Sequence, residues 1–176
     1  MFFGTDGIYR KTFRYSYAAA ALFVAVINTL NVISATHDMP HLNPLEPVIW
    51  EGSSWLALVA FFWIVWLAWR LAPWKVRPRW LLLIHIPAAL AFSLAHVSGF
   101  VGLRILAYWA LGGHYHVGHF WRQFFYELRK DSFGYVMFLA GLALLEHLLR
   151  QQQLTVAPSQ SLTFDIRDGA KLTRVP

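Results

Sequence analysis

A chain of 176 residues that is 57% hydrophobic and only 14% charged lies well outside ordinary soluble domains, which are about 45–50% apolar and about 25% charged. Nine Trp, seven Tyr and fourteen Phe suit membrane–water boundaries, so the composition excludes a plain soluble domain and implies an integral membrane protein. The absence of cysteine excludes disulfides and thiolate chemistry, and the +6 charge, clustered beside apolar runs, points to anionic lipid headgroups before nucleic acid.

The N-terminus does not read as a cleaved signal peptide, because its apolar run is too long and no small-residue cleavage site ends it. A membrane-crossing helix needs roughly 20 mostly apolar residues, and four stretches qualify. The first runs from Tyr15 to about Thr36 without a charge. "HDMPHLNPLEPVIWE" follows as a proline-rich, extended connector with three acids and no Lys or Arg. The second span covers about 52–69, bounded by Glu51 and Arg70, and "RLAPWKVRPR" leads to the third, about 80–103. The fourth covers 132–149. It holds Glu146 near its end, where Arg150, four residues on, can form a helical ion pair.

Lys and Arg counts set the expected orientation. Arg10, Lys11 and Arg14 precede the first span, and Arg70, Lys75, Arg77 and Arg79 lie between the second and third. Both termini are therefore expected in the cytoplasm of a multi-pass protein. Arg104, Arg122, Arg129 and Lys130 run against this count, partly offset by Glu127 and Asp131. Their segment, "FWRQFFYELRKD", either lies along the interface as an amphipathic helix or extends the fourth helix outward.

His85 and His96 are eleven residues apart, which at 100° per residue returns them to nearly one helix face, together with Ala89 and Ser93. Pro87 is a potential kink beside His85. The stripe should face the bundle interior. There it forms either a ligand, proton or haem site, or interhelical glue satisfied by carbonyls or by Asn28 and Asn31 of the first span. Haem would need an opposing histidine, and His147 is the remaining one within a span. In "GGHYHVGHFW", His114, His116 and His119 could bind zinc or copper, although the spacing matches no strong zinc signature. Trp50, Trp55, Trp66, Trp69, Trp74, Trp80, Trp109 and Trp121 fall mostly near span boundaries, as an aromatic belt would. No catalytic constellation is expected: no Ser/His/Asp grouping that the spans would assemble, no carboxylate pair, no phosphate loop and no cofactor motif. The chain therefore does not read as an enzyme, and no cofactor is expected.

After Arg150 the composition changes. "QQQLTVAPSQS" (151–161) reads as a linker, and 162–176 reads as an amphipathic hairpin. "LTFDIR" and "KLTRV" alternate, and a three-residue Asp168-Gly169-Ala170 loop would set Ile166 opposite Leu172. A lone hairpin is marginal in water, so by this reading the chain stops inside a domain, through truncation or because a partner supplies the missing strands. The expected fold class is an all-α four-helix transmembrane bundle (residues 1–150) with a short C-terminal β-hairpin that begins a truncated domain.

"FDIRDGAKLTRVP" resembles the opening of a LytTR family DNA-binding domain. "FFYELRKDSFGYVMFLAGLALLEHLLRQQQ" is similar to the final approach and span of the four-helix membrane regions found before such domains in some bacterial regulators, and before the kinase core of related sensor kinases. The resemblance implies the membrane sensory or anchoring part of a transcription regulator, with DNA bound through the remainder of the C-terminal domain. No base- or phosphate-contacting residue carries over, and Arg167, Lys171 and Arg174 read as a solvated face. Signal output would run through Glu146 and Arg150 into Gln153, and a homodimer is compatible with this architecture. Two alternatives stand beside it. One is a small binding protein for haem, metal or quinone around His85, His96 and His119. The other is a membrane subunit that sequesters a LytTR-type partner by strand pairing.

Overall fold

The computed structural model describes residues 6–156, 164–168 and 171–175. Four helices are long and apolar enough to cross a membrane: α1 (Asp6–Asp38), α2 (Leu45–Leu71), α3 (His85–Ala110, preceded by a 3-10 segment over Arg79–Ile84) and α4 (Phe120–Val156). All four expected spans are present, and each helix extends beyond its apolar stretch.

The extensions have local causes. α2 starts seven residues before the expected boundary at 52. Asn43 Oδ1 accepts the Leu45 N–H at 3.0 Å, and Pro47 sits in the first turn, where its missing N–H costs no hydrogen bond. The stretch read as an extended connector is thus helical from Leu45. Pro87 also lies in the first α-helical turn. The chain before it is wound as a 3-10 helix, so the expected kink takes the form of a change of helix type at Ile84–His85. α3 passes Arg104 and closes at Gly112 (φ 77°), whose left-handed conformation lets Gly113 N–H reach Tyr108 O at 2.8 Å and its own N–H reach Trp109 O at 3.0 Å. "FWRQFFYELRKD" extends the fourth helix, the second of its two expected forms. At the other end α4 continues through residues 151–156, which sequence reading gave to a linker. Glutamines sustain a helix well, and the first breaker is Pro158.

Consecutive helices run antiparallel. Phe13 meets Trp66 and Trp55 Nε1–H donates to Ala21 O at 2.9 Å across α1–α2, while Trp50 Nε1–H reaches Tyr108 OH at 3.1 Å across α2–α3. α4 packs on α3, α1 and α2, closing the bundle. We call the end holding the α1–α2 and α3–α4 connections the distal end and the opposite one the proximal end. Lipid tails are as apolar as leucine, so such helices associate through close packing and interhelical hydrogen bonds. One core joins Phe62, Val65, Trp69, Phe92, Tyr135 and Leu142; a second, more distal core joins Ala57, Val97, Phe100, Val101 and Phe124.

Gly99 of α3 packs tightly against α2. A Cβ built there would lie 2.8 Å from the Phe61 ring and 3.2 Å from Ala57 Cβ. Gly99→Val is therefore expected to cost about 1–3 kcal/mol through overpacking, read as a lowered unfolding midpoint in detergent. Thr12 gives the opposite sign. It is 1% exposed, and its Oγ1 has no hydrogen-bond partner among the described residues. Thr12→Val, nearly the same shape, should stabilise by up to about 1 kcal/mol in the same assay.

The C-terminal strands β1 (Phe164–Asp168) and β2 (Lys171–Val175) pair antiparallel, with Asp168 opposite Lys171, Arg167 opposite Leu172 and Ile166 opposite Thr173. This corrects the expected register. Two residues, not three, separate the paired strands, so Leu172 lies opposite Arg167 instead of Ile166. The observed register also sets Asp165 opposite Arg174 and Asp168 opposite Lys171, unlike charges at both positions, which favours it over the slipped alternative.

Candidate functional site, a buried polar relay between three helices

Ser93 and His96 stand one turn apart on α3 and face Asp131 of α4. His96 Nδ1 lies 2.9 Å from Asp131 Oδ1, and Ser93 Oγ donates to Oδ2 at 2.7 Å. On its other side, His96 Nε2 lies 3.0 Å from Ser54 Oγ of α2. His96 is 3% exposed and Asp131 6%. An ionised carboxylate only accepts hydrogen bonds, so Nδ1 carries the proton it donates. In the neutral ring Nε2 is then the acceptor, and the Ser54 hydroxyl is the donor. These assignments follow from the partners of each atom. They leave every polar atom of the group satisfied, the condition under which a buried carboxylate is tolerated. Phe92 stacks on His96 at 6.4 Å and Phe100 meets it edge-on at 5.1 Å, which holds the ring in place.

This is a Ser–His–Asp sequence of contacts, and it overturns the expectation that the spans assemble no such grouping. That expectation assigned Asp131 to the charged approach before the fourth span, whereas α4 starts eleven residues earlier and carries the residue into the bundle wall. A serine bonded to an oriented imidazole is the arrangement that activates a nucleophile. Acyl transfer also needs oxyanion donors and room for a substrate. Ser54 lies well inside α2, where the neighbouring backbone N–H groups are committed to the helix ladder. The cleft between α1, α2 and α4 lies elsewhere, lined by Tyr17, Val24, Leu58 and Phe62. The Ser54–His96–Asp131 contacts couple α2, α3 and α4 through side-chain hydrogen bonds.

Two more polar contacts hold the same face of α4. Tyr135, one turn after Asp131, has its hydroxyl 2.9 Å from His85 Nδ1, and His85 Nε2–H donates to Ala72 O at 2.8 Å, just past the end of α2. Near the proximal end, Glu146 Oε2 accepts Trp69 Nε1–H at 3.1 Å, while its Oε1 accepts Arg150 at 2.7 Å. Asp131, Tyr135, Leu142 and Glu146 thus form one stripe along α4, gripped at three heights.

The expected residues divide clearly. His85, Ser93 and His96 do face the interior, and Glu146 pairs with Arg150. Asn28 and Asn31 do not meet the histidines: they donate to Glu51 O and Oε2, at 2.8 and 3.1 Å, and fasten α1 to α2. Both ring nitrogens of His85 and of His96 are hydrogen-bonded, so either ring would surrender a bond to ligate a metal. His114, His116 and His119 point outward from an extended connection whose alternate residues, Tyr115 and Val117, turn inward, and among the described residues no three His, Cys, Asp or Glu side chains converge on a metal position. Trp50, Trp55 and Trp69 spend their indole N–H groups on other helices and do more than mark a boundary, whereas Trp74, Trp80, Trp109 and Trp121 are exposed near helix ends, as a belt requires.

Sequence reasoning missed Asp131, Ser54, Tyr135 and Trp69. The first, with Tyr135 and Glu146, was within reach: positions 131, 135 and 146 fall within about 60° on a helical wheel, once α4 is allowed to begin before its apolar run. In comparisons with protein-family models, curated proteins and solved structures, the chain has no significant match.

Proposed function

We propose that this chain is the membrane sensory and anchoring region of a bacterial LytTR-like transcription regulator, seated in the inner membrane with both ends cytoplasmic. The observation that carries the reading is the continuity of α4. One helix of 37 residues holds the buried Asp131 near one end and leads, at the other, toward the β1–β2 pair whose sequence resembles a LytTR opening. A signal at the distal end or within the bundle changes the hydrogen bonds of Asp131. α4 then shifts against α2 and α3, and the residues after Arg150 deliver that shift to the cytoplasmic part. The Lys and Arg residues at the proximal end support this orientation.

The test uses the native gene in its own cell. Replacing residues 131–150 by an unrelated apolar helix of equal length should keep the protein in the membrane and change the transcript profile. An unchanged profile would refute the regulatory reading. Tags at the two ends should both be protected in intact cells, and opposite accessibilities would refute the topology.

A further inference from the structure

Arg104 stands on α3, toward its distal end, and reaches the start of α2. Its Nε donates to Ser53 Oγ at 3.1 Å, Nη2 to Trp50 O at 3.0 Å and Nη1 to Tyr115 OH at 3.1 Å. The guanidinium carbon lies 4.3 Å from the centre of the Phe100 ring and 5.9 Å from that of Tyr115. Tyr115 belongs to the histidine-rich connection, so this arginine also anchors that connection to the bundle.

A guanidinium keeps its charge at any physiological pH and carries five N–H donors. Three are used here, all on neutral oxygens. One N–H on each terminal nitrogen is left without a protein partner among the described residues. Among the described residues no carboxylate forms an ion pair with the group: Asp131 is held by His96 and Ser93, Asp38 by Ser34 and His37, Glu51 by Asn31, Glu127 by Lys130 and Glu146 by Arg150, and Glu46 makes no ion pair with it. A half-buried cation in a spanning helix is costly and calls for a partner. Here the aromatic faces and the neutral acceptors fix the plane of the fork without quenching its charge.

The geometry points to Arg104 as a binding site for one phosphate group, from a phospholipid headgroup or a soluble phosphate. The two remaining N–H donors stand on separate nitrogens, as binding two oxygens of one phosphate requires. The depth suits it as well, because Trp109 and Trp121, exposed at this same end, mark the interface where headgroups lie. Ser53 accepts from Arg104, and the next residue, Ser54, donates to His96, so the anion site and the Asp131 relay meet on consecutive residues of α2. As a ligand class for the sensory region this inference rests on the function proposed above, but the binding is measured without any transcriptional output.

The test is thermal unfolding of the purified full chain in maltoside micelles, which contain no phosphate. Inorganic phosphate and short-chain phosphatidylglycerol are titrated separately, with chloride at equal ionic strength as control. The midpoint should rise and saturate with at least one titrant. A rise with both identifies a soluble phosphate as sufficient; a rise with the lipid alone identifies the headgroup. Arg104→Gln should abolish the rise. Arg104→Lys, which keeps the charge and loses the fork, should need on the order of tenfold more titrant. Tyr115→Phe, which keeps the ring faces and the bonds to Ser53 and Trp50 that hold the guanidinium and releases a third N–H, should keep the rise at equal or lower titrant. It covers the case in which the arginine variants do not fold. No rise beyond chloride in the unaltered protein, an equal rise in Arg104→Gln, or loss of the rise in Tyr115→Phe would each overturn the site. None of these outcomes bears on whether α4 controls transcription, so the two readings fail separately.

Discussion

Asp131→Leu should destabilise the bundle by about 3 kcal/mol, the upper end for leaving buried hydrogen-bond donors unsatisfied. The substitution leaves the His96 Nδ1–H and the Ser93 hydroxyl, both buried, with nothing to donate to. The informative measurement is a double-mutant cycle with His96→Leu, read by denaturant unfolding in micelles. Hydrogen bonds between membrane helices average about 0.6 kcal/mol in such cycles. The His96–Asp131 contact should exceed that clearly, because it is charge-assisted and shielded by Phe92 and Phe100. The double variant should cost less than the sum of the two single ones, since both break the same His96–Asp131 bond. Simple additivity would show that the two residues do not act as a pair.

Gly141→Pro is expected to have an effect of similar size for a different reason. Gly141 is exposed within α4, and a Cβ there would meet nothing within 4 Å. Gly141→Ala should therefore be tolerated or slightly stabilising, as helix propensity suggests. Proline at the same position removes the bond to the carbonyl four residues back and clashes with it, a cost of about 3 kcal/mol. It also separates the Asp131–Tyr135 half of α4 from the Glu146–Arg150 half. If α4 transmits as a rigid element, Gly141→Pro should uncouple transcript changes from changes at Asp131, while Gly141→Ala leaves them intact. Equal behaviour of the two variants would mean that continuity of the helix is not what matters.

The spans were legible because hydropathy over some twenty residues is a strong signal, and the inward face of α3 was legible because His85 and His96 recur on one side of a helix. What the sequence left hidden has a common cause. A span defined by its lack of charge must stop at Asp131, at Arg104 and at Glu51, yet helices continue past the apolar layer, and those three residues are among the ones that fasten helix to helix. Partner choice was likewise out of reach. Asn28 and Asn31 were plausible companions for the histidines by polarity, and only packing decides that they meet Glu51 while Tyr135 meets His85. In the hairpin, the strand pattern was readable and the register was not, since Asp-Gly-Ala allows a two- or a three-residue connection and cross-strand charge pairs separate the two.

The length of α4 has a mechanical consequence. Its 37 residues rise about 55 Å, against about 30 Å of hydrocarbon, so the helix overhangs the apolar layer by about 25 Å in all. From Asp131 to the helix end is about 38 Å, a long arm measured from a well-anchored fulcrum. A tilt of about 10° there would swing the far tip through roughly 6–7 Å and carry Glu146 about 4 Å, enough to break its bond to Trp69. The swing at the tip is about the width of one helical turn, enough to bring two such tips into register or to part them.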